Sequence, residues 1–202
     1  MIAIIDYDAG NLMSVKKALD AVGAENVITR NEKEILSADK VILPGVGAFG
    51  AAMDQLKSYN LIKTIKEAVA LGSPLLGICL GLQLMFEGSE ESEGVEGLNL
   101  LPGKIVRFPD DTADKIPQIG WNDLSYPNKG KLFAGIDEHS YVYFVHSYYL
   151  KAADSGIVVA TTDYAGVNVH ASVEKDNIFA CQFHPEKSSS VGLQILRNFA
   201  AL

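Results

Sequence analysis

The stretch that most limits what this chain can fold into runs from Pro74 to Phe86, Pro-Leu-Leu-Gly-Ile-Cys-Leu-Gly-Leu-Gln-Leu-Met-Phe. A short apolar run ends in Gly-x-Cys-x-Gly and passes directly into helix formers. That reads as a buried strand, a sharp turn and a helix, with the thiol of Cys79 at the corner. Small residues on either side of a cysteine let a strained turn push one side chain above a sheet, the geometry of a nucleophile elbow. A sulfur there also faces the unpaired N–H groups of a helix N-terminus, which favour thiolate over thiol. The same letters fit a buried structural cysteine, which packs as a small hydrophobe.

A strand feeding a helix needs neighbours of the same kind, and the first half supplies them. Ile2 to Ile5 is an apolar run ending in the turn cluster Asp6-Tyr7-Asp8-Ala9-Gly10-Asn11. Leu12, Val15, Ala18, Leu19 and Val22 recur at helical spacing and stop at Gly23. Strands are predicted at 27–29, 41–43 and 75–78, with helical patterns at 51–56 and 61–71. Such alternation predicts a parallel sheet covered on both faces, with ligands at the carboxyl ends of its strands, where Cys79 lies. The second half is β-rich, with short segments at 104–108, 119–126, 141–149, 157–162, 167–173 and 178–183, before a closing amphipathic helix over 188–202. The fold class expected is α/β: one domain over residues 1–202, with a central, mostly parallel (mixed) sheet flanked by helices and a smaller β-rich portion in the second half.

Bulk properties narrow the setting. With 202 residues, 48% of them hydrophobic, the chain can bury one full core and has little left for a second. A net charge of −8 without a basic tract argues against a nucleic-acid partner. Cys79 and Cys181 lie far apart, with no ligand spacing around either, so neither a disulfide scaffold nor a metal site is expected. The N-terminus does not read as a signal peptide and no apolar run is long enough for a membrane span. The expectation is a cytoplasmic protein with no membrane partner.

A lone thiol needs a base. His184 follows the apolar segment 178–183 and opens His184-Pro185-Glu186-Lys187. In an extended segment residues two apart share a face, which would set Glu186 beside His184, and Pro185 favours that extension. A carboxylate holding Nδ1–H leaves Nε2 free for a thiolate, the logic of a catalytic triad. The same letters also suit a plain strand-to-helix turn. Cys181 differs in parity from His184 and is expected to pack as core. Leu43-Pro44-Gly45-Val46-Gly47-Ala48-Phe49-Gly50 contains a Gly-x-Gly-x-x-Gly, so a dinucleotide loop has to be considered. No acidic residue follows at the next strand end, where a ribose would need it. The other use of these glycines is a loop whose N–H groups turn toward an oxyanion.

Taken together, Gly77-Ile78-Cys79-Leu80-Gly81-Leu82-Gln83 and His184-Pro185-Glu186 resemble the class I (triad) glutamine amidotransferases. Five further motifs resemble, more narrowly, the glutaminase subunits of imidazole glycerol phosphate synthases: Tyr7-Asp8-Ala9-Gly10-Asn11-Leu12, Pro44-Gly45-Val46-Gly47-Ala48-Phe49, Ile119-Gly120-Trp121-Asn122, Tyr143-Phe144-Val145-His146-Ser147-Tyr148 and Pro185-Glu186-Lys187-Ser188-Ser189. Leu82 stands where a methionine or histidine is commoner in such proteins.

The resemblance implies a Cys79–His184–Glu186 triad that hydrolyses glutamine without a cofactor or metal. It implies oxyanion donors from Leu80 and the Gly45–Val46 peptide, and recognition of the amino-acid end of glutamine by Gln83, Glu91 and the Ser147–Tyr148 backbone. It further implies a heterodimer with a (β/α)8-barrel cyclase, met by Asn11, Trp121, Asn122, Tyr143 and Lys187. The product there is imidazole glycerol phosphate, made with an aminoimidazole carboxamide ribotide in histidine biosynthesis. Read on residues alone, Asn11 is equally a helix cap, and Trp121 and Tyr143 equally core. A non-catalytic adaptor on the same fold and a Cys-His peptidase are the rival readings.

Overall fold

The computed structural model describes residues 1–202. Its strands, in chain order, are β1 (Ile2–Ile5), β2 (Asn26–Thr29), β3 (Lys40–Gly45), β4 (Leu75–Cys79), β5 (Gly103–Arg107), β6 (Gln118–Asp123), β7 (Tyr141–His146), β8 (Tyr148–Ala152), β9 (Val158–Tyr164), β10 (Val167–Lys175) and β11 (Ile178–Cys181). The helices are α1 (Leu12–Ala21), α2 (Glu32–Ser37), α3 (Phe49–Ser58), α4 (Leu61–Ala70), α5 (Leu80–Leu84) and α6 (Ser189–Ala200). Seven strands form one sheet in the order β2-β1-β3-β4-β11-β10-β9, with β2 through β11 parallel and the last two antiparallel. No helix is long and apolar enough to cross a membrane.

The apolar runs of the sheet strands follow from cover on both faces. Ala3 and Ile5 enter one core, with Ile35 of α2, Phe49, Met53 and Leu56 of α3, and Leu61 and Ile65 of α4. Ile2 and Ile4 enter the opposite core, with Val15 and Leu19 of α1 and Ile195, Leu196 and Phe199 of α6. Burying side chains of this size is worth about 1.5–3 kcal/mol each, so the two cores set the order of the sheet.

Three local expectations are corrected. The segment 141–149 is two strands: β7 pairs with β6 and β8 with β5, and the chain changes partner at Ser147. Helix α5 stops at Leu84 although helix formers continue to Phe86. The carbonyls of Leu84, Met85 and Phe86 are taken by the N–H groups of Leu98, Leu100, Leu101 and Asn99 as the chain returns. Helix α2 was not anticipated. It buries only Ile35, and depends on Asn31, whose side chain accepts from the Lys33 and Glu34 N–H groups.

Candidate active site

Strand β4 ends on Cys79, which adopts φ 54° and ψ −109° before α5 begins at Leu80. A non-glycine residue there costs on the order of 1–3 kcal/mol, held by the surrounding packing. The flanking glycines are required by space. A Cβ on Gly77 would lie 2.7 Å from Met85 Cε, and one on Gly81 1.8 Å from the Leu43 carbonyl oxygen. The turn therefore closes tightly against β3 and lifts the thiol at the carboxyl edge of the sheet. Cys79 is 6% exposed, with Sγ 3.9 Å from the Val145 carbonyl and 3.7 Å from Gln182 Nε2.

His184 lies beyond the end of β11, and its backbone is pinned from two sides. Its N–H donates to the Tyr143 carbonyl on β7 (2.9 Å), and its carbonyl accepts from the Ser188 hydroxyl (2.6 Å). The same hydroxyl accepts from Tyr143 N–H (3.0 Å). Glu186 comes alongside through a 3-10 turn over Pro185–Lys187, not through the extended segment expected. Its Oε1 is 2.7 Å from His184 Nδ1, and both side chains are 2% exposed. His184 Nε2 has no hydrogen-bond partner. Burial works to lower the pKa of this imidazole, but the Cys79 sulfur and the Glu186 carboxylate outweigh it and push it up to about 9. Cys181 is fully buried, as its parity suggested, and burial pushes its thiol pKa up, away from reactivity.

Cys79 and His184 line one cavity of about 340 Å³, together with Val46, Gly47, Leu80, Gln83, Glu91, Pro117, Val145, His146, Ser147 and Tyr148. The volume suits a small polar substrate. Gln83 Nε2 is spent inside the protein, on the Tyr148 carbonyl and on Gln182 Oε1 (3.1 Å each), which leaves Gln83 Oε1 as an acceptor. Glu91 Oε2 accepts from Phe49 N–H at the start of α3 (2.8 Å) and leaves Oε1 as a second. Gly45 is buried at the end of β3, while Val46, in the cavity wall, is 42% exposed. The loop does run from strand to helix as a dinucleotide loop would, but the next strand ends in Cys79 and Glu67 lies within α4.

Two members of the site escaped sequence reasoning. His146 is 6% exposed; its Nδ1 donates to the Tyr148 carbonyl (2.8 Å) and its Nε2 has no partner. Burial drives its pKa down to about 4, the Tyr148 carbonyl opposing and the His184 charge reinforcing, so Nε2 is a bare acceptor at neutral pH. Its signal was parity, since Val142, Phe144 and His146 share the inward face of β7. Gln182, fully buried, ties the sulfur to Gln83.

The residues expected at a partner surface lie away from the cores. Trp121 is 52% exposed and meets the half-buried Tyr143 edge-on, with ring centroids 6.1 Å apart. Lys187 Nζ stands 6.0 Å from the centre of the Tyr143 ring. Asn122 Nδ2 donates to the Asp163 carbonyl (3.0 Å), and Asn11 is an exposed residue that caps α1 through Ser14 N–H.

The family model for glutamine amidotransferase class-I matches residues 3–202. The chain is 52% identical over 199 residues to "Imidazole glycerol phosphate synthase subunit HisH" of Bacillus cereus (strain B4264), covering 98% of this chain and 93% of that protein. It is 50% identical over 200 residues to the protein of the same name from Chlorobaculum tepidum, covering 99% of each. Among solved structures, a crystal structure of a glutamine amidotransferase superposes with a TM-score of 0.77 at 18% identity, covering 100% of both chains. PurLQS from Thermotoga maritima superposes with a TM-score of 0.76 at 20% identity, covering 98% of this chain and 96% of that one. At those identities the likeness is one of fold.

Proposed function

The chain belongs to the class-I glutamine amidotransferases, in the group of the HisH subunits of imidazole glycerol phosphate synthase, and from that premise we propose that residues 1–202 act as one glutaminase unit with Cys79, His184 and Glu186 as its catalytic triad. The observation that carries the reading is the setting of His184. Its Nδ1 is held by a buried carboxylate at 2.7 Å, and its unpartnered Nε2 belongs to a side chain that shares a cavity with the strained cysteine.

The chemistry follows from that arrangement. The Cys79 thiolate adds to the side-chain amide carbon of glutamine, forming a C–S bond and moving the carbonyl electron pair onto oxygen. The N–H groups of Leu80 and Val46 receive that oxyanion; removing one such donor costs about 3 kcal/mol in comparable sites. His184 gives a proton to the amide nitrogen, the C–N bond breaks and ammonia leaves. Water, deprotonated by the now neutral Nε2, attacks the glutamyl thioester and releases glutamate. Glu186 keeps the ring oriented throughout. Gln83 Oε1 and Glu91 Oε1 are the acceptors for the substrate's ammonium group, beside the Ser147–Tyr148 backbone.

Ammonia set free in neutral water is protonated and stops being a nucleophile, so it has to pass directly to an acceptor site. The relatives' name is that of a synthase subunit. The acceptor is the other subunit, a (β/α)8-barrel cyclase that forms imidazole glycerol phosphate and an aminoimidazole carboxamide ribotide in histidine biosynthesis. Asn11, Trp121, Asn122, Tyr143 and Lys187 form the face that meets it. A non-catalytic adaptor would not need an intact triad around an open cavity.

Glutamate release from glutamine, measured with and without the cyclase and its nucleotide, tests the reading. Weak activity alone and a strong rise with both are expected, with none in Cys79→Ala. Continued release by Cys79→Ala sinks the mechanism; equal rates with and without the partner sink the coupling.

A further inference from the structure

Tyr7 follows β1 in the turn cluster and is fully buried, at 0% exposure. A buried phenol needs an acceptor for its O–H, and here that acceptor is the Pro44 carbonyl oxygen, 2.8 Å away. This carbonyl belongs to the 44–45 peptide, one unit before the 45–46 peptide whose N–H the glutaminase reading assigns to the oxyanion. The approach is close. A Cβ built on Gly45 would lie 2.6 Å from the Tyr7 hydroxyl, 2.8 Å from Leu80 Cβ and 2.9 Å from Gly81 N. Gly45 is thus held between the tyrosine and the start of the helix that carries the nucleophile.

The loop's far end is anchored too, by Glu91 on Phe49 N–H (2.8 Å) and the Ser92 hydroxyl on Gly50 N–H (3.0 Å). Between the anchors, the N–H groups of Val46, Gly47 and Ala48 donate to nothing in the chain. Planar peptides in such a span can turn only about their φ and ψ bonds, most freely beside glycine.

We propose that Tyr7 is a positioning residue of the glutaminase: its hydroxyl fixes the plane of the 44–45 peptide and confines rotation to the 45–46 unit, so that Val46 N–H is aimed at the oxyanion. The inference rests on the glutaminase reading above. Burial, reinforced by the nearby Cys79 sulfur, raises the phenol's pKa, so Tyr7 stays a hydrogen-bond donor across the working range. Without it the Pro44 carbonyl loses a buried donor and the loop base loses its hold.

Tyr7→Phe keeps the ring and its packing and deletes only the hydroxyl. In the complex with the cyclase, kcat for glutamate release is expected to fall about tenfold, as for a weakened oxyanion donor. The KM for glutamine is expected to stay within about twofold, because the lost interaction acts in the transition state. Alkylation of Cys79 by iodoacetamide, a displacement that forms no oxyanion, is expected to proceed at the wild-type rate and also reports an intact site. An unchanged kcat, or kcat and alkylation falling together, overturns the proposal. A wild-type complex that releases no glutamate would instead overturn the glutaminase reading on which it stands.

Discussion

His146 and His184 line the same cavity and are driven to opposite protonation states. Burial works to lower the His184 pKa, but the Cys79 sulfur and the Glu186 carboxylate beside it outweigh that and raise it from 6.5 to about 9. Its contribution to stability is therefore fully present below pH 6.5 and is lost as pH rises through about 9. His146 is buried without an anion, and its pKa falls from 6.5 to about 4. Its contribution is present above pH 6.5 and is lost as pH falls through about 4. Between pH 7 and pH 5 that linkage amounts to about 2 kcal/mol. Urea unfolding at both pH values should show the acid loss in the wild type and a loss smaller by about that amount in His146→Gln. Equal losses in the two proteins would show that His146 is not held neutral. At this scale the proposed triad residues Cys79, His184 and Glu186 could be picked out as candidates in the sequence, because Gly-x-Cys-x-Gly and His-Pro-Glu are local patterns. His146 and Gln182 were not, because each matters only through an atom brought close by another strand, the Tyr148 carbonyl for one and the Cys79 sulfur for the other.

The element on which the site depends is the β4–α5 corner. Its two glycines do different work from the turn glycines elsewhere. Gly72 takes φ +91° with nothing within 4 Å of a Cβ, so Gly72→Ala pays only for backbone strain, about 1 kcal/mol. Gly81 meets backbone on β3, and a methyl group there has to move either the strand or the helix. Gly81→Ala is expected to cost about 3 kcal/mol in urea unfolding and to displace the sulfur; a cost no larger than that of Gly72→Ala would contradict the packing described. Strands and long helices were readable from periodicity, since apolar runs mark strands covered on both faces. What sequence periodicity lacked were elements decided by distant partners. Ser147 divides β7 from β8 because β6 and β5 claim different halves of one apolar segment. Helix α5 ends where returning N–H groups take its carbonyls.

For the whole molecule, the outward face of the β6–β7 ribbon joins surface to site. Ile119 and Trp121 are 62% and 52% exposed on β6, and Tyr141 is 58% exposed on β7. In register, Trp121 lies opposite Tyr143, and Ile119 opposite Val145, which lines the cavity. A partner seated on this ribbon would lie one strand away from Val145 in the cavity wall, the placement that the proposed ammonia transfer calls for. Trp121→Ala should weaken association with the cyclase by about 2 kcal/mol, roughly thirtyfold in Kd, while glutaminase activity of the isolated chain is unchanged. Titration calorimetry checks the first and glutamate release the second; unchanged Kd would place the interface elsewhere. All of this presupposes that the sulfur of Cys79 carries the acyl group, and intact-mass analysis of the complex, acid-quenched during turnover with glutamine, reads that directly. The expected result is a glutamyl adduct on wild-type protein that maps to Cys79 and is missing from Cys79→Ala. Turnover without any such adduct, or an adduct that persists in Cys79→Ala, would contradict it.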